Sequence, residues 1–251
     1  MFAMTHPVRV VNRSLELAAI GLPTAEIARR LQVPRATVRD WLAGRLPRAF
    51  HRGELDCAGC GGTHDVEALP RVYVYLLGMY LGDGCLSEHR GSVYKLRISL
   101  DARYPGIAEE CERAIRAVMP HNRIGRVDRR TWHELYSYSK TWACLFPQHG
   151  PGKKHERSIA LTEWQRDLVA RWPLLLLRGL FHSDGCRFQN TGRGWSHPRY
   201  SFANKSADIK RIFCDACDLV ELHWTLSGEK TVYVSRVADV ALLDRFVGPK
   251  S

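Results

Sequence analysis

The sequence predicts an α+β fold: two pseudo-symmetric repeats, each read as helix, strands, helix, strands and helix, preceded by a small three-helix unit. Three observations carry that prediction. The segment Leu76-Leu77-Gly78-Met79-Tyr80-Leu81-Gly82-Asp83-Gly84 returns 101 residues later as Leu177-Arg178-Gly179-Leu180-Phe181-His182-Ser183-Asp184-Gly185, and each copy runs on into a cysteine. The stretches after both copies pass through the same order of alternating and helical patterning, as a duplicated domain should. The first fifty residues instead carry short helical periods broken by Gly and Pro.

In chain order, Ser14 to Ile20 reads as a first helix, ended by Gly21-Leu22-Pro23. Thr24 is placed as the N-cap of a helix over Ala25 to Leu31. A third helix opens with Pro34 near its first position and runs from Arg35 to Ala43, stopped by Gly44. Leu17, Ile20, Ile27, Leu31, Val38 and Trp41 form the expected core of this unit. The expected boundaries are 1–48 for the three helices, 49–69 for a linker, 70–175 for the first repeat and 176–251 for the second. In the linker, Cys57 and Cys60 on a glycine-bearing knuckle, with His51 and His64 nearby, supply four ligands of the kind that tetrahedral zinc takes. A reduced linker without metal explains the same residues, and both readings stand open. A redox pair lacks the strand-to-helix frame it needs.

Within the repeated segments, Gly78 with Gly82, and Gly179 with Ser183, place small residues at i and i+4 on one helical face, so two such helices can meet backbone to backbone. Asp83 and Asp184 fall in the last turns, where Gly84 and Gly185 are expected to adopt the left-handed conformation and stop the helices. A carboxylate there meets the negative end of the helix dipole and requires a cation. Beyond the first segment Val93 to Leu100 alternates as a strand, and Arg199 to Asn204 does so less cleanly. Ile107, Cys111 and Ile115 mark one amphipathic helix, and Ile209, Ile212, Phe213 and Cys217 the other. Hairpins follow at His121 to Val127 with Glu134 to Ser139, and at His223 to Leu226 with Lys230 to Ser235. Cys214 and Cys217 are read as core, as are Trp132, Trp142, Trp164 and Trp172.

These paired segments resemble the two motifs of the LAGLIDADG homing endonucleases, with Gly, Gly or Ser, Asp and Gly at equivalent places, and the likeness extends over about residues 70–249. The resemblance implies a monomeric pseudo-dimer: a saddle of two αββαββα repeats with the motif helices on its axis. It also implies site-specific, double-strand DNA cleavage with two Mg²⁺ ions, held by Asp83 and Asp184 with Gly82 and Ser183. His182 and Leu81 fill the family's variable acidic position, so neither is given a catalytic part. The family often carries a lysine between the motifs in a Lys-x-Ile-Pro segment. Here that stretch is Gly150-Pro151-Gly152-Lys153-Lys154-His155-Glu156-Arg157-Ser158-Ile159-Ala160, which departs from the pattern at Ala160. Lys153 and Lys154 are the catalytic candidates and Arg157 the fallback. No such stretch follows the second motif, which leaves Lys230. The first fifty residues resemble the helix-turn-helix of homeodomain-like regulators, which implies that the third helix presents Arg35, Thr37 and Arg39 to a major groove.

The resemblance implies that the concave face of the two sheets meets double-stranded DNA, and on the alternation read above Lys95, Arg97 and Ser99 are expected on that face in the first repeat, with Arg126, Arg129 and Arg130 nearby. Arg187, Gln189, Arg193, Arg199, Ser201 and Lys205 are expected there in the second, with Lys230 also counted as DNA-binding, and phosphate contact is the default role of any one of them. Thirty-seven Lys and Arg against 26 acids, a net charge of +11 and a pI near 9.5 agree with a phosphate-bearing partner. No apolar run is long enough to span a bilayer and Met1 to Arg13 lacks the apolar core of a leader, so a cytoplasmic chain without a membrane partner is expected. Eight scattered Cys suit reduced thiols. Three functions remain open on the sequence: a Mg²⁺-dependent endonuclease, a transcription regulator that binds without cutting, and an RNA-processing factor that keeps the fold as a scaffold.

Overall fold

The computed structural model describes residues 6, 8–46, 66, 68–248 and 250, in two compact units, Met1–Ala68 and Leu69–Ser251. His51, Cys57, Cys60 and His64 lie outside the described residues, so zinc remains an expectation.

The N-terminal unit holds α1 (Val8–Ala19), α2 (Thr24–Leu31) and α3 (Arg35–Leu42). Its α1 starts earlier than the sequence suggested, so the buried stripe runs through Val11, Ser14 and Leu17 and leaves Ile20, beyond the last turn, 72% exposed. Ile27, Val33, Val38 and Trp41 complete the core. Thr24 is the first helical residue rather than the cap, a place that Pro23 occupies without a side-chain bond.

The second unit repeats one order twice. Its first half contains α4 (Val72–Asp83), β1 (Gly84–His89), β2 (Val93–Asp101), α5 (Pro105–Val118), β3 (Ile124–Asp128), β4 (Trp132–Ser139) and the short α6 (Trp142–Leu145). A connection with one 3-10 turn at Lys154–Glu156 leads to α7 (Glu163–Arg171). The second half contains α8 (Pro173–Asp184), β5 (Gly185–Gly192), β6 (Trp195–Ala203), α9 (Ala207–Asp218), β7 (Trp224–Ser227), β8 (Thr231–Val234) and α10 (Val237–Phe246). Each half forms a four-stranded antiparallel sheet, ordered β1-β2-β4-β3 and β5-β6-β8-β7. No helix among the described residues is long and apolar enough to cross a membrane.

Helices α4 and α8 pack against each other at the centre of the core. Every residue of α4 from Tyr73 to Leu81 is buried, as expected of a helix that is apolar all round. The contact is backbone to backbone: a Cβ on Gly78 would lie 2.9 Å from Gly179 Cα, and one on Gly179 would lie 2.3 Å from Tyr75 O. Gly84 and Gly185 correct the sequence reading, because both are extended, with φ of −91° and −97°. They are glycines for space instead: a Cβ would come within 2.5 Å of Tyr80 Cα or of the Phe181 ring. Trp142 is fully buried and Trp164 packs on the core. Trp132 and Trp172 are 38% and 40% exposed, the first at the far end of β4 and the second in the junction between α7 and α8, where Arg71 lies over its ring. Cys214 and Cys217 are buried on α9, as read.

Candidate active site and nucleic-acid face

The glycine contact brings the two aspartates together. Asp83 ends α4 and Asp184 ends α8, and a Cβ on Gly82 would lie 3.1 Å from Asp184 Oδ2. Burial first, and the Asp184 charge second, push the Asp83 carboxyl up to about 6, against the pull of Lys154 and Lys250. Burial also raises Asp184, opposed by Asn204, whose Nδ2 donates to Oδ2 at 2.7 Å. Raised carboxyls in a shared, half-buried place mark a demand for positive charge. The sign for stability follows: the folded state binds the Asp83 proton more tightly than the unfolded chain, so its contribution is lost as pH rises from about 4 through 6. Metal-free Asp83→Asn protein should therefore melt roughly 5 °C above wild type at pH 7.5 and near it at pH 4, as read by calorimetry.

Positive charge is supplied by two lysines. Lys154 Nζ donates to the carbonyls of Tyr80, Leu81 and Gly82, the last two at 2.9 and 2.8 Å, so all three ammonium protons cap the end of α4. Burial pushes Lys154 down to about 8, resisted by Asp184 and Asp83. The connection that delivers it is anchored in the core. Gln165 Nε2 donates to Tyr73 Oη at 2.8 Å, Gln148 Nε2 donates to Ala160 O, and Arg157 donates to Gln148 O and Gly152 O. Arg157 thus holds the glycine loop. Lys153 has an exposed side chain paired with Glu156 at 3.2 Å, so the adjacent lysine alone reaches the helix end. A cavity of about 520 Å³ beside Asp83 is lined by Ser99, His149, Lys153, Lys154 and Arg157 among others.

The second lysine was missed on the sequence. Lys250 Nζ donates to Ser183 O at 3.3 Å and lies 5.7 Å from the Tyr104 ring centre. Burial lowers its pKa, with Asp83 the largest opposing influence. Lys230 is an exposed turn residue whose carbonyl accepts from Asn204 N, and it lies in the β7–β8 turn rather than at a motif-helix end. One signal pointed to Lys250: Gly248-Pro249-Lys250 echoes Gly150-Pro151 before Lys153 and Lys154.

Among the described residues no three His, Cys, Asp or Glu side chains gather as a metal cluster. The donors here are two carboxylates and the carbonyls of Gly82 and Ser183, which now accept from the lysines. An all-oxygen set of this kind suits Mg²⁺, which keeps several waters.

Strand parity decides which side chains lie on the helix-free face of each sheet. Leu96, Ile98 and Leu100 are buried, so Lys95, Arg97 and Ser99 take the open face. Lys95 pairs with Glu134 at 3.0 Å and lies 4.2 Å from the Tyr136 ring centre, while Arg97 donates to Ser87 Oγ. In the second sheet Tyr200 and Phe202 are buried, which puts Arg199 and Ser201 on the open face, with Arg199 over Tyr233. Arg187 and Gln189 correct the expectation: they stand opposite Tyr200 and Pro198 and share the helix-covered side. Arg187 is committed there to Asp244 of α10, at 2.7 and 2.9 Å. Arg126, opposite Leu135, also falls on the helix side and donates to Asp128. Arg129, Arg130, Arg193 and Lys205 are exposed in turns and loops. On α3, Arg35 and Arg39 are exposed and Thr37 is half-buried. Arg187→Ala, which takes from Asp244 its two-pronged partner, should lower the melting temperature, as read by calorimetry.

A family model described as a homeodomain-like domain matches residues 11–44. No protein of curated function matches the chain. Among solved structures, the homing endonuclease I-DmoI in complex with DNA and Mn is 15% identical, with a TM-score of 0.47 over 72% of this chain and 98% of that one. The N-terminal LAGLIDADG domain of DUF199/WhiA is 14% identical, with a TM-score of 0.45 over 73% and 88%. Full-length DUF199/WhiA from Thermatoga maritima is 13% identical, with a TM-score of 0.43 over 73% and 59%. Likeness at these identities does not extend to chemistry.

Proposed function

We propose that this protein is a metal-dependent, site-specific, double-strand DNA endonuclease in which α4 and α8 each supply one carboxylate. The observation that supports it most is the meeting of Asp83 and Asp184 at the ends of two helices in backbone contact, each carboxyl raised by burial. A bound divalent cation supplies Lewis-acid charge and lowers the pKa of attacking water. The chain's residues do the rest. Asp83, Asp184 and the carbonyls of Gly82 and Ser183 would hold the cation, and Asn204 fixes one carboxylate's orientation. Lys154, with its protons engaged, is a fixed positive charge that opposes charge building on the phosphate, and Lys250 does the same at the end of α8. Lys95, Arg97, Arg199 and Ser201 on the open faces, with Arg129, Arg130, Arg193 and Lys205 at their margins, contact phosphates and base edges. Arg35, Thr37 and Arg39 add a tethered second contact, which raises affinity through effective concentration.

One observation favours the rival reading, a regulator that binds without cutting: Lys154 and Lys250 already occupy the carbonyls that a cation would use. Selecting bound sites from random DNA with the full chain separates the two. For the nuclease, an Arg97→Ala/Arg199→Ala variant loses a long, asymmetric site while Arg35→Ala/Arg39→Ala only weakens it. For the regulator, a short site is lost with Arg35→Ala/Arg39→Ala alone, and Mg²⁺ produces no nicks.

A further inference from the structure

Both lysines arrive on anchored segments, but the anchor of the second is built from the motif helix itself. Arg178 and His182 stand one turn apart on α8 and project to the same side. There they meet the last turn of α10, whose carbonyls lack partners within the helix. Arg178 Nη1 donates to Phe246 O and Val247 O, and His182 Nε2 donates to Val247 O at 3.1 Å. The acceptor fixes the tautomer, since Nδ1 is then free to accept from Tyr75 Oη at 3.1 Å. Arg178 is held in turn by a two-pronged pair with Glu110 of α5, at 2.6 and 2.7 Å. The equivalent positions of the first motif are Leu77 and Leu81, both fully buried and apolar. Two polar groups placed only in the second copy, and both aimed at α10, need a reason that helix packing does not give.

The chain beyond α10 supplies one. Two residues separate Val247 from Lys250, and Gly248, at φ 69°, turns the backbone. Lys250 then returns to Ser183 O, one residue past His182 on the same helix. We propose that Arg178 and His182 are positioning residues that lock the end of α10 and so deliver Lys250 to the aspartates. The catalytic consequence rests on the nuclease reading, and the lock itself does not. Because Lys154 and Lys250 serve different helix ends, losing one should bias cutting between strands.

The test follows each strand of a duplex, selected by the full-length protein, with separate end labels and Mg²⁺. Lys250→Met should slow one strand on the order of 10²-fold and the other far less. Arg178→Met should slow the same strand about tenfold, as a displaced group does, and the double variant should be no slower than Lys250→Met. Inserting Gly-Gly after Gly248, which leaves α8 untouched should Arg178→Met fail to fold, should reproduce the bias. Equal slowing of both strands, or an unchanged strand ratio in the insertion variant, overturns the proposal. Hydrogen exchange of the tail amides gives a readout without cutting. Opening in Arg178→Met relative to wild type upholds the lock and unchanged exchange removes it, even if wild type cuts no DNA and the nuclease reading falls.

Discussion

Replacing either Asp83 or Asp184 by Asn should reduce double-strand cleavage on the order of 10³-fold or more while DNA affinity stays within a few-fold of wild type. Asn keeps the shape of the side chain and removes the charge with which the helix ends would hold the proposed cation. The proposed binding surface, with Lys95, Arg97 and Arg199 on the open faces, is left in place. The same substitutions relieve a strained pair: each carboxyl is raised by burial, and Asp83 is raised further by Asp184. Loss of cutting should therefore come with a gain in metal-free stability, a combination that a damaged fold cannot produce. Plasmid cleavage, gel-shift titration and melting of the same preparations check all three parts.

Gly179→Ala should be the most destabilising single-methyl change in the second unit, at about 3 kcal/mol or more. The added Cβ would stand 2.3 Å from Tyr75 O and 2.9 Å from Gly78 Cα, both backbone atoms of the facing helix, so relief requires α4 and α8 to part. Parting them moves Asp83 away from Asp184, and cleavage should fail in protein that remains folded at low temperature. Gly91 provides the contrast, since a Cβ there meets nothing within 4 Å and only its φ of 73° opposes alanine. Gly91→Ala should lose about 1 kcal/mol and keep its activity. Chemical denaturation of the two variants side by side measures the difference, and near-equal losses would mean that the helix contact does not bear on the fold as described.

The parts of this arrangement that the sequence made legible are those set by local spacing. Gly78, Gly82 and Asp83 recur as Gly179, Ser183 and Asp184 at the same helical spacing, so the helix pair and its carboxylates are legible in the sequence. Glycine after each aspartate was also visible, but not its cause: the letter is the same whether a residue needs positive φ or only space, and Gly84 needs space against Tyr80. Strand parity failed where a strand is polar on both faces. Arg187 and Gln189 alternate with Phe188 and Asn190 without a hydrophobic phase, so only the pairing with buried Tyr200 tells which side faces α10. Lys250 was hidden by distance along the chain. Its approach to Ser183 depends on α10 ending against Arg178 and His182, a tertiary fact with no period in the sequence.

On the proposed function, Asp83 and Asp184 hold the metal with which DNA is cut at one chosen place. The most direct measurement incubates full-length protein with a randomised plasmid library and Mg²⁺ and sequences every end produced. Double-strand ends are expected at one recurring, asymmetric sequence, absent without divalent metal and absent in the Asp83→Asn/Asp184→Asn variant. Ends that persist in that variant, or a wild-type protein that binds a recurring sequence tightly and leaves it intact in both Mg²⁺ and Mn²⁺, would contradict it.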